Sequence, residues 1–262
     1  MELKLFLVQD PYGRAPGTDL EGRNIYRVSL KRLDALKGLT GPEYADILAF
    51  ARGECLERLG RWPEAAAAFE EAAGRQTRLA ATARDRAANA RRMVELTGRA
   101  AADNTLEGYL NDLTVIERRL GEWIDQKPPY PYESLARVER ERAQEDHLRI
   151  LMENRLVLKD GVSRAAAQAA ALVDRNAQSW RVNQNRLLQG ELFETLARDF
   201  TAANRPEGTD FDPEGPWANW VARAREAYRQ VAQADGDPAK PEGQARLRVL
   251  DTYAMRVKAL AQ

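Results

Sequence analysis

Small side chains at fixed intervals in the first third of the chain constrain its fold more than any other feature. Gly53 precedes Ala65 by twelve residues, Phe69 follows Ala65 by four, and Ala72 follows three residues later. Intervals of three and four residues place Ala65, Phe69 and Ala72 on one face of a helix. Gly53 would allow a second, antiparallel helix to approach that face closely, with Gly60 at the turn between them. The stretch therefore predicts two short helices packed as a hairpin.

On those residues the segment 44–73 resembles a tetratricopeptide repeat, a helix–turn–helix unit with conserved small and aromatic positions. It differs from the family pattern at three places. The family's Trp and Leu in the first helix correspond to Ala49 and Arg52 here, and its final Pro corresponds to Thr77. The resemblance implies stacked helical hairpins that act as a scaffold and hold peptides or partner domains on a concave face.

A second, weaker unit begins within a helix that we expect to run from about 132 to 159. Asn154, Ala166 and Ala170 have the same spacing of twelve and four residues, and Gly161 stands where Gly60 stands in the first unit. This alignment predicts that Ala166 and Ala170 face the preceding helix.

A third unit is interrupted by an inserted loop, 204–216. Gly190 lies in the helix before the loop, and the helix after it carries Ala224, Tyr228 and Val231 at the spacing of Ala65, Phe69 and Ala72. We expect Gly190 to occupy the position of close contact in this hairpin.

Composition favours an all-α fold. Alanine, Arg, Glu, Leu and Gln are strong helix formers and are plentiful, whereas β-branched residues are sparse. Together with this composition, the resemblance implies an irregular right-handed α-solenoid of antiparallel helical hairpins with about ten helices. The 40 basic and 40 acidic side chains cancel, which argues against a nucleic-acid-binding surface because such surfaces carry an excess of basic residues.

Proline and glycine clusters divide the chain. The strongest break is Lys127-Pro128-Pro129-Tyr130-Pro131, because consecutive prolines exclude helix and favour extended geometry. The predicted organisation is an extended or disordered segment at 1–22, a helical half at 23–126, a connector at 127–131, and a second helical half at 132–262 that ends in a capping helix at 243–260.

Nothing in the chain indicates membrane insertion. It has no run of eighteen apolar residues, which a transmembrane helix would need. The start, MELKLFLVQD, lacks the basic region and long apolar core of a signal peptide, so a cytoplasmic location is expected by default. A cell-envelope location stays open if an export signal was removed from the chain.

The resemblance also implies which side chains line the partner-binding groove. They mix charged and apolar groups, which suits a protein or peptide partner. They do not include the Lys and Asn set with which chaperone-binding members of the family hold a terminal carboxylate, so chaperone binding is not expected. The implied partner-binding residues are Phe50, Glu54, Arg58, Leu151, Arg155, Lys159, Gln184, Leu187, Glu191 and Glu194.

Other polar and aromatic features leave alternatives open. An amide-rich cluster could bind a partner backbone or form a network between helices. It comprises Asn176, Gln178, Asn183, Gln184 and Asn185. The Trp217 and Trp220 pair is expected in the core, although an aromatic side chain beside a loop can also anchor a partner.

We predict no catalytic, cofactor-binding or metal-binding residue. The only histidine, His147, has no second His or Cys nearby. We expect Cys55 to be a buried apolar residue. The acids of the loop at 209–215 lack the ligand spacing of a helix–loop–helix calcium site and read as turn formers. A purely architectural subunit is the nearer alternative to an adaptor. An all-α enzyme is a more distant one, since it would require a buried carboxylate with a raised pKa in a cleft.

Overall fold

The computed structural model describes residues 22–36, 39, 41–75, 77–99, 104–208 and 211–261. Within these ranges it contains ten α-helices and no strand, so the all-α prediction with about ten helices is confirmed. The predicted segment at 1–22 lies outside the described residues except for Gly22. The helices are α1 Arg23–Leu36, α2 Ala45–Arg58, α3 Trp62–Ala73, α4 Ala80–Thr97, α5 Leu106–Asp125, α6 Tyr132–Glu153, α7 Gly161–Arg175, α8 Val182–Ala203, α9 Pro216–Ala232 and α10 Lys240–Leu260.

The chain divides into two compact units. Unit 1 takes the described residues of Met1–Gly108 together with Val115–Arg140, and unit 2 takes Tyr109–Thr114 together with Glu141–Gln262. The later boundary falls inside α6, after Arg140. Helix α6 continues without a break from unit 1 into unit 2.

Unit 1 is organised around the hairpin formed by α2 and α3. Gly60 forms the turn with φ of +72°, a left-handed conformation that glycine adopts without steric cost. A Cβ atom on Gly53 would lie 2.5 Å from the Phe69 ring, so only glycine allows the two helices to pack this closely. The core around this contact is completed by α1 and α4. Its buried members include Tyr26, Leu30, Cys55, Leu56, Leu59, Ala65, Phe69, Ala87 and Ala90.

Unit 2 repeats this contact in the hairpin formed by α8 and α9. A Cβ atom on Gly190 would lie 2.4 Å from the Tyr228 ring. The Tyr228 hydroxyl donates a hydrogen bond of 2.9 Å to Glu194 Oε2, which fixes the ring against α8. The expectation that Gly190 lies at a point of close contact with its partner helix agrees with this geometry.

In the hairpin formed by α6 and α7, the left-handed turn residue lies one position earlier in the chain than predicted. Helix α6 ends at Glu153 and not near 159, because Asn154 turns its side chain back to the Ile150 carbonyl at 2.9 Å and the chain then enters a series of turns. Asp160, not Gly161, adopts the left-handed conformation, with φ of +53°. Gly161 is instead the first residue of α7.

This shift changes which alanines are buried in α7. Ala165 and Ala169 are fully buried, whereas Ala166 and Ala170 are only half-buried. The prediction that Ala166 and Ala170 face the preceding helix was therefore wrong by one position. Ala165 and Ala169 follow the left-handed residue Asp160 by five and nine residues. Ala65 and Phe69 follow the left-handed residue Gly60 by the same intervals.

With that correction, the second helices of the three hairpins share one buried pattern. In each, an alanine is followed four and seven residues later by two further buried side chains. All nine side chains are 0% exposed: Ala65, Phe69 and Ala72 in α3; Ala165, Ala169 and Leu172 in α7; Ala224, Tyr228 and Val231 in α9.

The inserted loop at 204–216 is attached to unit 2 by an aromatic side chain. Phe211 is buried, and its ring centroid lies 6.0 Å from that of Phe200 and 5.8 Å from that of Trp217. Trp217 is itself fully buried and donates through Nε1 to the Tyr253 hydroxyl at 3.2 Å. These tilted ring contacts hold Phe211 of the loop against α8 and α9.

Candidate interaction surface

The three groove residues implied on α2 are half-buried and differ in their contacts. Phe50 packs edge-on against Phe69 with ring centroids 5.3 Å apart, so part of its ring belongs to the core. Glu54 pairs with Arg86 of α4 at 3.1 Å. Arg58, in the last turn of α2, keeps part of its side chain accessible. These residues give one side of α2 a mixed apolar and charged surface.

The three residues implied near the end of α6 separate into different environments. Leu151 is 1% exposed and belongs to the core, so it cannot line an open groove. Arg155 forms two hydrogen bonds to Asp199 of α8, at 2.6 and 2.8 Å, which ties the turn after α6 to α8. Lys159 is exposed. Of the three, Lys159 is the side chain most available to a partner.

Four groove residues were expected on α8. Glu194 is buried, and its carboxylate accepts hydrogen bonds from Tyr228 and, at 2.7 Å, from Arg198. Gln184, Leu187 and Glu191 are half-buried. The Gln184 Oε1 atom accepts no hydrogen bond although it is closed off from solvent. We therefore remove Leu151 and Glu194 from the partner-facing set and retain the others.

Two members of the amide cluster take part in a network between helices. Asn185 donates to Glu141 of α6 at 2.6 Å, and Asn176 donates to Gln144 of α6 at 2.6 Å. The Ser179 hydroxyl also donates to Glu141, at 2.7 Å. Glu141, Asn176 and Asn185 are buried. The two amides therefore supply hydrogen bonds to side chains of α6 and are not available to the backbone of a partner.

The remaining amides have separate surroundings. Asn183 donates to Asp237, in the turn between α9 and α10, at 2.7 Å. Gln178 is exposed. The network interpretation therefore accounts for Asn176 and Asn185, while only Gln178 and part of Gln184 remain accessible to a partner.

The described acids of the loop at 209–215 take part in a turn and in a surface ion pair. Asp210 lies outside the described residues. Asp212 accepts the Glu214 backbone N–H at 2.9 Å and so forms the turn, and Glu214 pairs with Lys258 at 2.9 Å. In the described part of the chain, no three His, Cys, Asp or Glu side chains are placed to hold a metal ion. His147 is half-buried, and burial raises the pKa of Cys55 to about 11, which keeps its thiol protonated.

Sequence reasoning missed a buried polar cluster in unit 1, formed by Glu57, Arg86 and Tyr132 and called the Glu57 cluster below. Glu57 is 2% exposed, its Oε2 lies 3.1 Å from Arg86 Nη2, and its Oε1 shares a hydrogen bond with the Tyr132 hydroxyl. The same hydroxyl lies 2.9 Å from the Arg86 carbonyl oxygen. Arg86 also lies over the rings of Phe69 and Tyr132, at 5.5 and 5.7 Å.

Burial dominates the acid–base chemistry of Glu57. Desolvation raises its pKa to about 8, against the opposing charges of Arg86 and Arg58 and with a small further increase from Glu54. A sequence signal for this burial existed, because Glu57 follows Gly53 by four residues and so lies on the face of α2 that packs inward.

Two cavities lie among the described residues of unit 1. One, of about 140 Å³, is lined by the start of α2 and by Glu71 and Arg75. The other, of about 290 Å³, is lined by charged residues of α4 and α5 around Trp123. Glu57 lines neither. It has the raised pKa that an all-α enzyme would need, but it is enclosed by Arg86 and Tyr132 and does not open into either cavity.

In the ranges that the structure describes, no helix combines the length and the apolar character needed to cross a bilayer. The chain matches no model of a known protein family and no curated protein.

Proposed function

We propose that this chain is a tetratricopeptide-like scaffold that binds a partner peptide or protein domain without a cofactor. The binding residues are Phe50, Glu54 and Arg58 in unit 1, and Arg155, Lys159, Gln184, Leu187 and Glu191 in unit 2. The observation that carries this proposal is the buried pattern repeated in α3, α7 and α9, with a glycine-to-aromatic contact in two of the three hairpins. Repetition of one hairpin geometry is the basis on which such proteins build extended binding surfaces.

The residues that remain accessible support a protein partner. Arg58 and Lys159 are cationic, Glu191 is anionic, and Phe50 and Leu187 add half-buried apolar surface. A partner interface typically combines an apolar centre with charged groups at its rim. Charges of both signs favour a mixed peptide or domain surface over a uniformly acidic or basic partner.

A display library of random peptides, selected against the purified protein, tests this proposal. We expect the selection to enrich peptides that bind with micromolar dissociation constants. Charge reversal by Lys159→Glu together with Glu191→Lys should weaken their binding by about tenfold, or about 1.4 kcal/mol. Binding would be measured by fluorescence anisotropy on labelled peptides.

The matched control is Lys31→Glu together with Glu226→Lys, which makes the same charge changes at exposed positions of α1 and α9. This control should leave peptide affinity within twofold of the wild type. Enriched peptides that bind both double variants equally well would show that the proposed residues are not the binding surface. A selection that enriches no peptide would count against a peptide-binding scaffold.

One observation favours the alternative of an architectural subunit. Helix α10 was expected to cap the chain, and capping helices normally present a polar outer face. The exposed positions of α10 do carry Val249, Met255 and Leu260, interleaved with Arg248, Thr252 and Arg256. Exposed apolar side chains set among arginines are suited to contact with another protein surface.

We expect self-association or assembly through α10 to show in sedimentation velocity as a sedimentation coefficient that rises with protein concentration. The variant Met255→Glu should abolish this rise, because a charge would then be desolvated at the contact. Gln244→Glu, which adds the same charge at another exposed position of α10, is the control. A wild-type protein that stays monomeric at every concentration would remove self-assembly from consideration.

A further inference from the structure

The hydrogen bonds of the Glu57 cluster require more protons than an ionised carboxylate leaves available. The Tyr132 hydroxyl has one proton, yet it lies within hydrogen-bond distance of both Glu57 Oε1 and the Arg86 carbonyl oxygen. Both of those oxygens are acceptors when Glu57 is ionised, so one contact would lack a proton. A proton on Glu57 Oε1 resolves this shortage: Glu57 donates to Tyr132, and Tyr132 donates to the Arg86 carbonyl.

The charges around the cluster agree with a neutral Glu57. The charged or titratable groups that face it are Glu54 and Arg58 on its own helix, Arg86 on α4 and Tyr132 on α6. Arg86 already pairs with Glu54 at 3.1 Å, so its charge is partly balanced before Glu57 is counted. Glu57 is far more buried than Glu54, and the more buried carboxylate is the one that loses most by ionising.

The position of Tyr132 gives this proton a mechanical role. Tyr132 is the first residue of α6 and follows the proline-rich connector directly. It is fully buried and also packs against Trp123 of α5, with ring centroids 6.1 Å apart. The Glu57 cluster is therefore a polar attachment between the start of α6 and helices α2 and α4.

We propose that Glu57 is a proton-controlled latch, which holds the start of α6 against α2 and α4 when protonated and loosens it when ionised. Ionisation removes the donor from Glu57, so the Tyr132 proton turns to the carboxylate, and the Arg86 carbonyl keeps only its hydrogen bond within α4. The desolvated carboxylate then has to be accommodated by Arg86 and Tyr132 alone. The latch operates over the same range as the raised pKa of Glu57, around neutral to mildly alkaline pH.

The sign of the effect follows from proton binding. The folded state holds the Glu57 proton up to pH about 8, whereas the unfolded chain releases it near 4.5. Between these values the folded state binds more protons, so stability falls as pH rises. The contribution of Glu57 should lower the folding equilibrium constant by up to about tenfold for each pH unit within that window.

Two measurements on the full chain test the latch. Urea unfolding between pH 5 and 9 should show a decline in the wild type that is absent in Glu57→Gln, because glutamine donates and accepts as the protonated acid does. The matched control, Glu54→Gln, removes the half-buried carboxylate that pairs with the same Arg86 and should retain the decline. Equal pH dependence in the wild type and in Glu57→Gln would overturn the proposal.

The second measurement uses only the wild-type protein. The side-chain carboxyl carbon of Glu57, followed by NMR in the wild type, should titrate with a pKa of about 8, whereas an ordinary glutamate titrates near 4.5. Amide hydrogen exchange in the first turns of α6 should accelerate over the same pH range, after correction for the intrinsic pH dependence. A carboxyl carbon that titrates at the ordinary glutamate value, or protection that is unchanged through the titration, would contradict the latch.

Discussion

Replacing Gly53 by alanine is expected to destabilise unit 1 by about 2–3 kcal/mol, although the same change inside most helices is stabilising. The added Cβ would lie 2.5 Å from the Phe69 ring, well inside the contact distance of about 3.5–4.0 Å between carbon atoms. The ring has little room to retreat, because Phe50 packs on it and Arg86 covers one face. The two helices must therefore separate or the ring must leave its rotamer. Urea unfolding followed by circular dichroism measures the loss.

A control and a double-mutant cycle make this expectation specific. In Gly121→Ala the nearest atom to the new Cβ is 3.8 Å away, so this variant should gain up to about 1 kcal/mol from helix propensity. In a Phe69→Leu background the smaller side chain leaves space, and Gly53→Ala should cost at least about 1 kcal/mol less than in the wild type. Additive effects of the two substitutions would show that the Gly53–Phe69 contact does not determine the helix spacing.

Asn185→Ala is expected to cost unit 2 about 3 kcal/mol, while Gln178→Ala costs less than about 0.5 kcal/mol. The two amides belong to the same sequence cluster, but only Asn185 is fully buried and donates to the Glu141 carboxylate, at 2.6 Å. Its removal leaves a buried carboxylate with Ser179 as its remaining donor among the contacts described above. Gln178 is exposed to solvent and loses little when truncated.

The comparison separates the two interpretations of the amide cluster. Chemical denaturation measures the stability of each variant, and fluorescence anisotropy with the selected peptides measures its peptide affinity. Under the network interpretation, Asn185→Ala loses stability and retains peptide affinity wherever it is folded. An Asn185→Ala protein as stable as the wild type but unable to bind peptide would instead assign the amide to partner recognition.

Much of the helical organisation could be predicted from local patterns. Helical periodicity, turn residues and the spacing of small and aromatic side chains all act within one or two neighbouring helices, so the contact of Gly53 with Phe69 is readable from the sequence. The same holds for Gly190 and Tyr228 despite the intervening loop, because the spacing within α9 matches that within α3.

The buried face of helix α7 could not be predicted from the local sequence pattern. Its run of alanines at 165–167 and 169–171 presents a small side chain on nearly every face, so the pattern alone does not choose between Ala165 and Ala166. The left-handed backbone at Asp160 and the early end of α6 made that choice. Burial also removed Leu151 and Glu194 from the predicted partner-binding residues. Both are enclosed by neighbouring helices, whose positions no short sequence motif encodes.

By itself, the sequence determined the helical class, the positions of most helices and two of the close contacts between them, because these follow from periodicity and side-chain size along a short stretch of chain. Only the tertiary structure decided the one-residue shift in α7, the division inside α6 and the Glu57 cluster. Glu57 and Tyr132 are 75 residues apart, and the pKa of Glu57 depends on the dielectric and charges that folding places around it. Contacts over such separations arise from how whole helices pack, which no local pattern specifies.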